Sequence, residues 1–252
     1  MIRTLNKHVK WRNDNKAIFI CDCKRLIDLK IPFEYEEFMI KLFSGIDKEK
    51  LNETDKKVFS DFEKMELLSK LELKQLEEKD FQKAMDILDN ELGKDRVRDP
   101  SFLFEKFKEF YQFFIGLFLD NEILGVICGF SREDYLLISE IAVDSRFSRR
   151  GFGRKLVEKF EEIAHLNNYK KINVGALDNS IYFYVSLRYK PFLLVQFKEN
   201  IYSKDDFKNF KIMKSDKKSV EIDVEKADIK ILEGLRKKYP QANFQYIFTK
   251  KV

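Results

Sequence analysis

The alternation of apolar and polar positions divides the chain into three stretches of different rhythm. In the first, residues 8–12, 17–23 and 25–31 read as short strands, with a polar turn at Asn13-Asp14-Asn15 and Pro32 as the stop. Phe33, Phe38, Met39, Ile40 and Phe43 then fall largely on one helical stripe, and Gly45 ends it. Val58, Phe59, Phe62 and Met65 predict a second helix over 54–65. Three small strands followed by two or three helices form a unit that closes near Ser69.

A different rhythm begins at Leu71. Residues 71–76 read as a strand, Asp80 caps a helix running to Leu92, and Pro100 and Ser101 open a helix over 102–111. Strands at 113–119, 123–130 and 135–143, joined by tight turns, predict an antiparallel meander. Leu156, Val157, Phe160, Ile163 and Ala164 stand at core spacing in a strong helix over 154–167. A strand at 171–177, a short helix at 180–187 and a strand at 192–197 follow. After a Lys/Asp-rich connection, 220–224, 227–238 and 243–249 predict a β-α-β appendix.

The 252 residues accommodate one large domain or two modest ones. With 25 Phe against 4 Pro and 9 Gly, long disordered stretches are not expected. The net charge of +5 is uneven: 15 basic against 13 acidic residues in 1–70, 20 against 22 in 71–200, and 13 against 8 in 201–252. Only the tail is basic, so a concentrated face for nucleic acid is disfavoured. Met1-Ile2-Arg3 runs straight into polar sequence, and no apolar run approaches the roughly 20 residues that span a bilayer. A cytoplasmic setting without a membrane partner is the expectation. Cys21, Cys23 and Cys128 lack metal-ligand spacing, so buried, reduced thiols are expected rather than a metal site or disulfides.

The most informative stretch is 138–156, ISEIAVDSRFSRRGFGRKL, in which a β-branched strand meets an Arg/Gly turn and then an amphipathic helix. Glycines at such a junction leave backbone amides uncovered at the positive end of a helix dipole, which makes an anion site. Arg149, Arg150 and Arg154 add positive charge around it. Gly151-Phe152-Gly153 is not a P-loop, because no Gly-Lys-Ser/Thr follows, and the antiparallel strands before it do not suit a dinucleotide fold.

With this order of elements, residues 71–200 resemble the GNAT superfamily of acyl-CoA-dependent N-acyltransferases. Three places carry the resemblance. Glu140-Ile141-Ala142-Val143 looks like the end of the family's central strand, and Ser148-Arg149-Arg150-Gly151-Phe152-Gly153 looks like its (Gln/Arg)-x-x-Gly-x-(Gly/Ala) signature. Asn179 with Phe183-Tyr184-x-x-Leu187-x-Tyr189 looks like its Asn…Phe-Tyr-x-x-x-Gly-(Phe/Tyr) helix. There are two departures. Ser148 replaces Gln or Arg, for which Arg149 or Arg150 can compensate, and Arg188 replaces a Gly that often permits positive φ.

The resemblance implies an α+β fold: a mixed, mostly antiparallel central sheet flanked by helices over 70–200, with 201–252 completing or flanking it. It implies acetyl-CoA as co-substrate and direct attack by an amine on the thioester, through a tetrahedral intermediate and without an acyl-enzyme. Ile141, Ala142 and Val143 would hold the pantetheine arm. Ser148, the amides from Arg149 to Arg154, and Asn179 would complete the cofactor site, with Gly151, Phe152 and Gly153 at its centre. Tyr184 is implied as proton donor to the sulfur, or is a half-buried helix aromatic. Glu140 is the candidate base, or a salt-bridged or capping carboxylate. Cys128, in an apolar strand, and His165, at the far end of a helix, are expected to be structural.

Residues 1–69 have the outline of a small winged-helix domain and resemble PqqD-like peptide-recognition domains, in which an extended leader peptide adds as a strand to the small sheet. A ribosomally made peptide is then the implied acceptor. Other readings stay open: a regulator that binds peptide or DNA and takes acyl-CoA as ligand, or a unit that packs on the catalytic domain or makes a homodimer. A local charge of +2 and the acidic Glu34-Tyr35-Glu36-Glu37 weigh against DNA. Acceptor choice is expected to lie in 89–101 and the tail.

Overall fold

A computed structural model describes residues 1–93, 99–132 and 134–252. The first elements are β1 (Ile2–Leu5), β2 (Val9–Asn13), β3 (Ala17–Asp22), β4 (Ile27–Pro32), α1 (Glu36–Ser44), β5 (Ile46–Asp47), α2 (Glu53–Lys64) and β6 (Leu68–Gln75). Next come α3 (Glu78–Leu92), α4 (Pro100–Glu109), β7 (Phe114–Leu119), β8 (Glu122–Arg132), β9 (Tyr135–Val143), α5 (Phe152–Leu166) and β10 (Lys171–Gly175). The last are α6 (Ile181–Ser186), β11 (Lys190–Phe197), β12 (Ile212–Ser215), β13 (Ser219–Asp223), α7 (Ile229–Lys238) and β14 (Ala242–Lys251).

The chain divides into two compact units. One comprises Met1–Pro100, Phe114–Ile127 and Ile141–Lys159; the other comprises Ser101–Phe113, Cys128–Glu140 and Phe160–Val252. Strands β8 and β9 and helix α5 give residues to both.

In the first unit, β5, β1, β6 and β7 lie side by side, all antiparallel, with Thr4 opposite Ser69 and Leu73 opposite Leu117. Strand β1 was not legible in the sequence, and β6 starts at Leu68, so the expected boundary at Ser69 falls inside a strand. A second antiparallel sheet, β2-β3-β4, follows the expected hairpins. Alternation turns Val9, Ile18 and Ile20 onto a core shared with Phe38, Met39 and Leu42 of α1 and Phe59 and Phe62 of α2. Asn52 caps α2 by accepting from the Asp55 amide at 2.8 Å, while Gly45 ends α1 at φ +86°. Helix α3 begins two residues before Asp80, with Glu77 rather than Asp80 at the cap position.

In the second unit the strand order is β9-β10-β14-β11-β13-β12, with only β9–β10 parallel among these pairs. The C-terminal strand β14 lies between β10 and β11, pairing Val174 with Phe248 and Leu194 with Gln245. The tail therefore completes this sheet. Gly129 admits the close approach of Phe160 to β8, since a Cβ there would lie 2.6 Å from the ring and 2.2 Å from the Leu137 carbonyl. The cysteines depart from expectation in part: Cys128 is buried, but Cys21 is half-buried and Cys23 exposed. Among the described residues no helix is long and apolar enough to cross a membrane. Residues 94–98, within the segment expected to influence acceptor choice, lie outside the described residues.

Candidate active site

The end of β9 and the turn after it lie in the first unit. Ala142 is buried, and Ile141 and Val143 are half-buried. Asp144 accepts from the Arg146 amide at 2.9 Å and starts the single 3-10 turn Ser145–Phe147. Ser148 is extended and exposed. Arg149 then takes φ +61° and Gly151 φ +74°, so two left-handed residues flank Arg150. A non-glycine residue in that region costs on the order of 1 kcal/mol, and such strain gathers where backbone amides must be aimed. The Lys155 amide donates to the Gly151 carbonyl at 3.1 Å, which makes Gly151 the residue that opens α5. The amides of the first helical turn have no acceptor within their own helix and carry the positive end of the dipole. Helix α5 starts at Phe152, two residues before the sequence expectation, so Gly153 lies in that first turn.

The arginines do not act alike. Arg149 and Arg154 are exposed, whereas Arg150 is 3% exposed and turns inward. Its guanidinium carbon lies 4.4 Å from the Phe43 ring centre and 5.2 Å from that of Phe147. Burial lowers its pKa, although a guanidinium remains charged. The side chain of Arg150 is thus not a surface substitute for the missing Gln or Arg at 148.

Glu140, Asn179 and Tyr184 lie in the second unit. Glu140 is half-buried, with its Oε2 shielded from solvent. Asn179 is exposed in the 3-10 turn Asp178–Ser180. Arg236 of α7 fixes that turn, donating to both Asp178 carboxylate oxygens at 2.6 and 3.1 Å and to the Phe244 carbonyl at 3.1 Å. Nothing in the local sequence marks Arg236, because the pairing joins elements 58 residues apart.

Tyr184 is 3% exposed, with its ring centre 5.1 Å from Phe183, 5.5 Å from Phe248 and 5.9 Å from Tyr189. Burial lifts its hydroxyl above the ordinary value of 10.0, so it keeps its proton throughout neutral and mildly alkaline solution. The turn after α6 holds this ring. The Tyr189 amide donates to the Tyr184 carbonyl at 3.1 Å, and the Arg188 amide to the Val185 carbonyl at 3.0 Å. Together they form a Schellman closure around Arg188, which takes φ +63°. Arg188 keeps the left-handed backbone expected of a glycine. Replacing it by glycine is therefore expected to stabilise the fold by about 1 kcal/mol and raise Tm by about 2–4 °C. Thermal unfolding of Arg188→Gly checks this; an unchanged or lower Tm would contradict it.

Tyr189 and Asn173 were not legible as polar features. The Tyr189 hydroxyl is buried beside Glu161 but outside hydrogen-bonding geometry, and burial first, then the Glu161 charge, raises its pKa. Asn173 of β10 has a buried Oδ1 without a partner. Cys128 is buried in β8, and His165 is exposed in the last turn of α5. Among the described residues no cluster of His, Cys, Asp and Glu is placed to hold a metal ion.

Antiparallel strands thus run into a left-handed turn and a helix start, and a parallel strand and a short helix closed on a tyrosine follow in the chain. Residues 71–187 match the model of the Acetyltransferase (GNAT) family, and this part of the chain is a GNAT acetyltransferase domain. Among solved structures, Ard1 from Thermoplasma volcanium is 16% identical, with 72% of this chain and 97% of that one covered at a TM-score of 0.49. The ribosomal-protein-S18-alanine N-acetyltransferase from Escherichia coli is 14% identical, with 73% and 94% covered at 0.46. A GNAT family acetyltransferase from Elizabethkingia anophelis with acetyl-CoA bound is 12% identical, with 72% and 98% covered at 0.42. No curated protein sequence matches the chain.

Proposed function

We propose that the protein transfers an acetyl group from acetyl-CoA to an amine by direct attack, and that the amine belongs to a peptide engaged by the N-terminal segment. The observation that carries the first half is the turn itself. Left-handed Arg149 and Gly151, the start of α5 and a buried arginine all favour an anion, and they fall inside the family-matched segment. These groups suit the diphosphate of acyl-CoA.

In this reading the amides from Arg149 through Arg154 hold the diphosphate, with Ser148 and Asn179 as side-chain contacts. Main-chain groups of Ile141 and Val143, with Ala142 between them, pair with the pantetheine arm as an added strand would. The bound thioester supplies the electrophilic carbonyl. Glu140 takes the proton of the attacking amine, directly or through water, and the Tyr184 hydroxyl donates to the departing sulfur. A hydroxyl that stays protonated through neutral pH is suited to that donation.

The β2-β3-β4 sheet supports the second half. Strands β2 and β4 are its edges, and edge strands carry main-chain groups available to an added strand. A hollow of about 540 Å³ lies there, lined by residues that include Trp11, Phe19 and Leu29. Arg12 and Lys30 flank the Phe19 ring at 5.2 and 5.7 Å. Glu36 and Glu37 occupy the first turn of α1, which weighs against a phosphate-facing helix.

Thiol release from acetyl-CoA across a panel of amines and peptides tests the activity, and the absence of turnover on all of them would overturn it. Removing residues 1–69 would also strip β1 from β6, so a point variant is the cleaner test of peptide engagement. Phe19→Ala is expected to raise KM for the best peptide about tenfold while sparing small amines. Equal effects on both would refute the peptide role.

A further inference from the structure

The turn that begins α5 is braced from behind by the N-terminal residues. Among the described residues Arg150 is the one buried lysine or arginine, and no carboxylate of these residues forms an ion pair with it. Its guanidinium sits between the faces of Phe43 at 4.4 Å and Phe147 at 5.2 Å, with Nη1 3.5 Å from the Leu5 carbonyl. Phe43 is itself fixed: its carbonyl accepts from the Thr4 hydroxyl at 3.0 Å, and α1 ends at the next residue, Ser44, with Gly45 as its cap. Ser44 reaches the turn as well, with its Oγ 3.8 Å from where a Cβ on Gly151 would stand. A cation withdrawn from water without a carboxylate is stabilised by aromatic faces, and further by any anion brought close to it.

We propose that Arg150 is a positioning residue for acyl-CoA, held behind the turn by Phe43 and Leu5, so that its uncompensated charge favours the diphosphate and couples cofactor affinity to the N-terminal segment. The inference rests on the turn being an acyl-CoA cradle. It assigns to β1 and α1 a part in cofactor binding, separate from any engagement of a peptide. Two requirements follow: the arginine must keep its charge, and Phe43 must keep its ring.

The test compares acetyl-CoA with S-acetylpantetheine, which lacks the diphosphate, in binding titrations of the full chain. Arg150→Met is expected to raise the dissociation constant of acetyl-CoA about tenfold and leave that of S-acetylpantetheine unchanged. Arg150→Lys should retain most of the affinity, and Phe43→Leu should lie between them with the same selectivity for acetyl-CoA. If Arg150→Met weakens both ligands equally, or neither, the proposal is overturned. Should Arg150→Met fail to fold, Phe43→Leu decides by the same comparison. A wild-type protein that binds the two ligands equally well would instead refute the cradle, and this inference with it.

Discussion

Gly153→Glu should abolish acetyl-CoA binding while leaving the protein folded. Gly153 lies in the first turn of α5, where glutamate is favoured over glycine by helix propensity and by the dipole. The fold therefore has little reason to suffer, and Tm should hold or rise. The ligand, however, would meet a carboxylate where its own diphosphate must sit. Like charges brought together in a desolvated site cost several kcal/mol, so affinity should fall about a hundredfold or more. The pair of readouts separates site from scaffold. Lost affinity with an intact Tm supports the cradle, whereas undiminished affinity would displace it from this turn.

Tyr184→Phe should lower kcat about 10²-fold with little change in the KM of acetyl-CoA. The substitution keeps the ring that packs against Phe183, Phe248 and Tyr189 and removes only the hydroxyl. Because burial raises the hydroxyl's pKa, wild-type Tyr184 remains a donor across neutral pH, and the loss in the variant should be uniform there. A kcat equal to the wild type would remove Tyr184 from the mechanism. A large rise in KM with kcat preserved would assign it to binding instead.

Much of this was legible in the sequence, because helices and half-buried strands announce themselves by period. The strands over 114–119, 122–132 and 135–143 and the helix beginning at Phe152 lie within two residues of expectation. Strands β1, β5 and β12 were not, since two to four residues are too few to show a period and their pairing is set by distant neighbours. The insertion of β14 between β10 and β11 is likewise a non-local choice that no window of sequence contains.

The site divides along the same line. Its turn could be read from the Arg/Gly signature, and Arg188 could be singled out as standing where glycine is usual. That Arg188 nevertheless adopts φ +63° is set by the hydrogen bonds that close α6. The sequence placed Arg150 among the charges of the turn. Its inward rotamer depends on Phe43 and Leu5, more than a hundred positions away, and only the fold brings them together.

The central claim is that the turn from Ser148 to Arg154 binds acyl-CoA. Calorimetric titration of the full chain with acetyl-CoA tests it most directly. Saturable binding at one site per chain, with a dissociation constant in the micromolar range, is the predicted result. No binding up to high micromolar acetyl-CoA would contradict both the cradle and the acetyl transfer built on it.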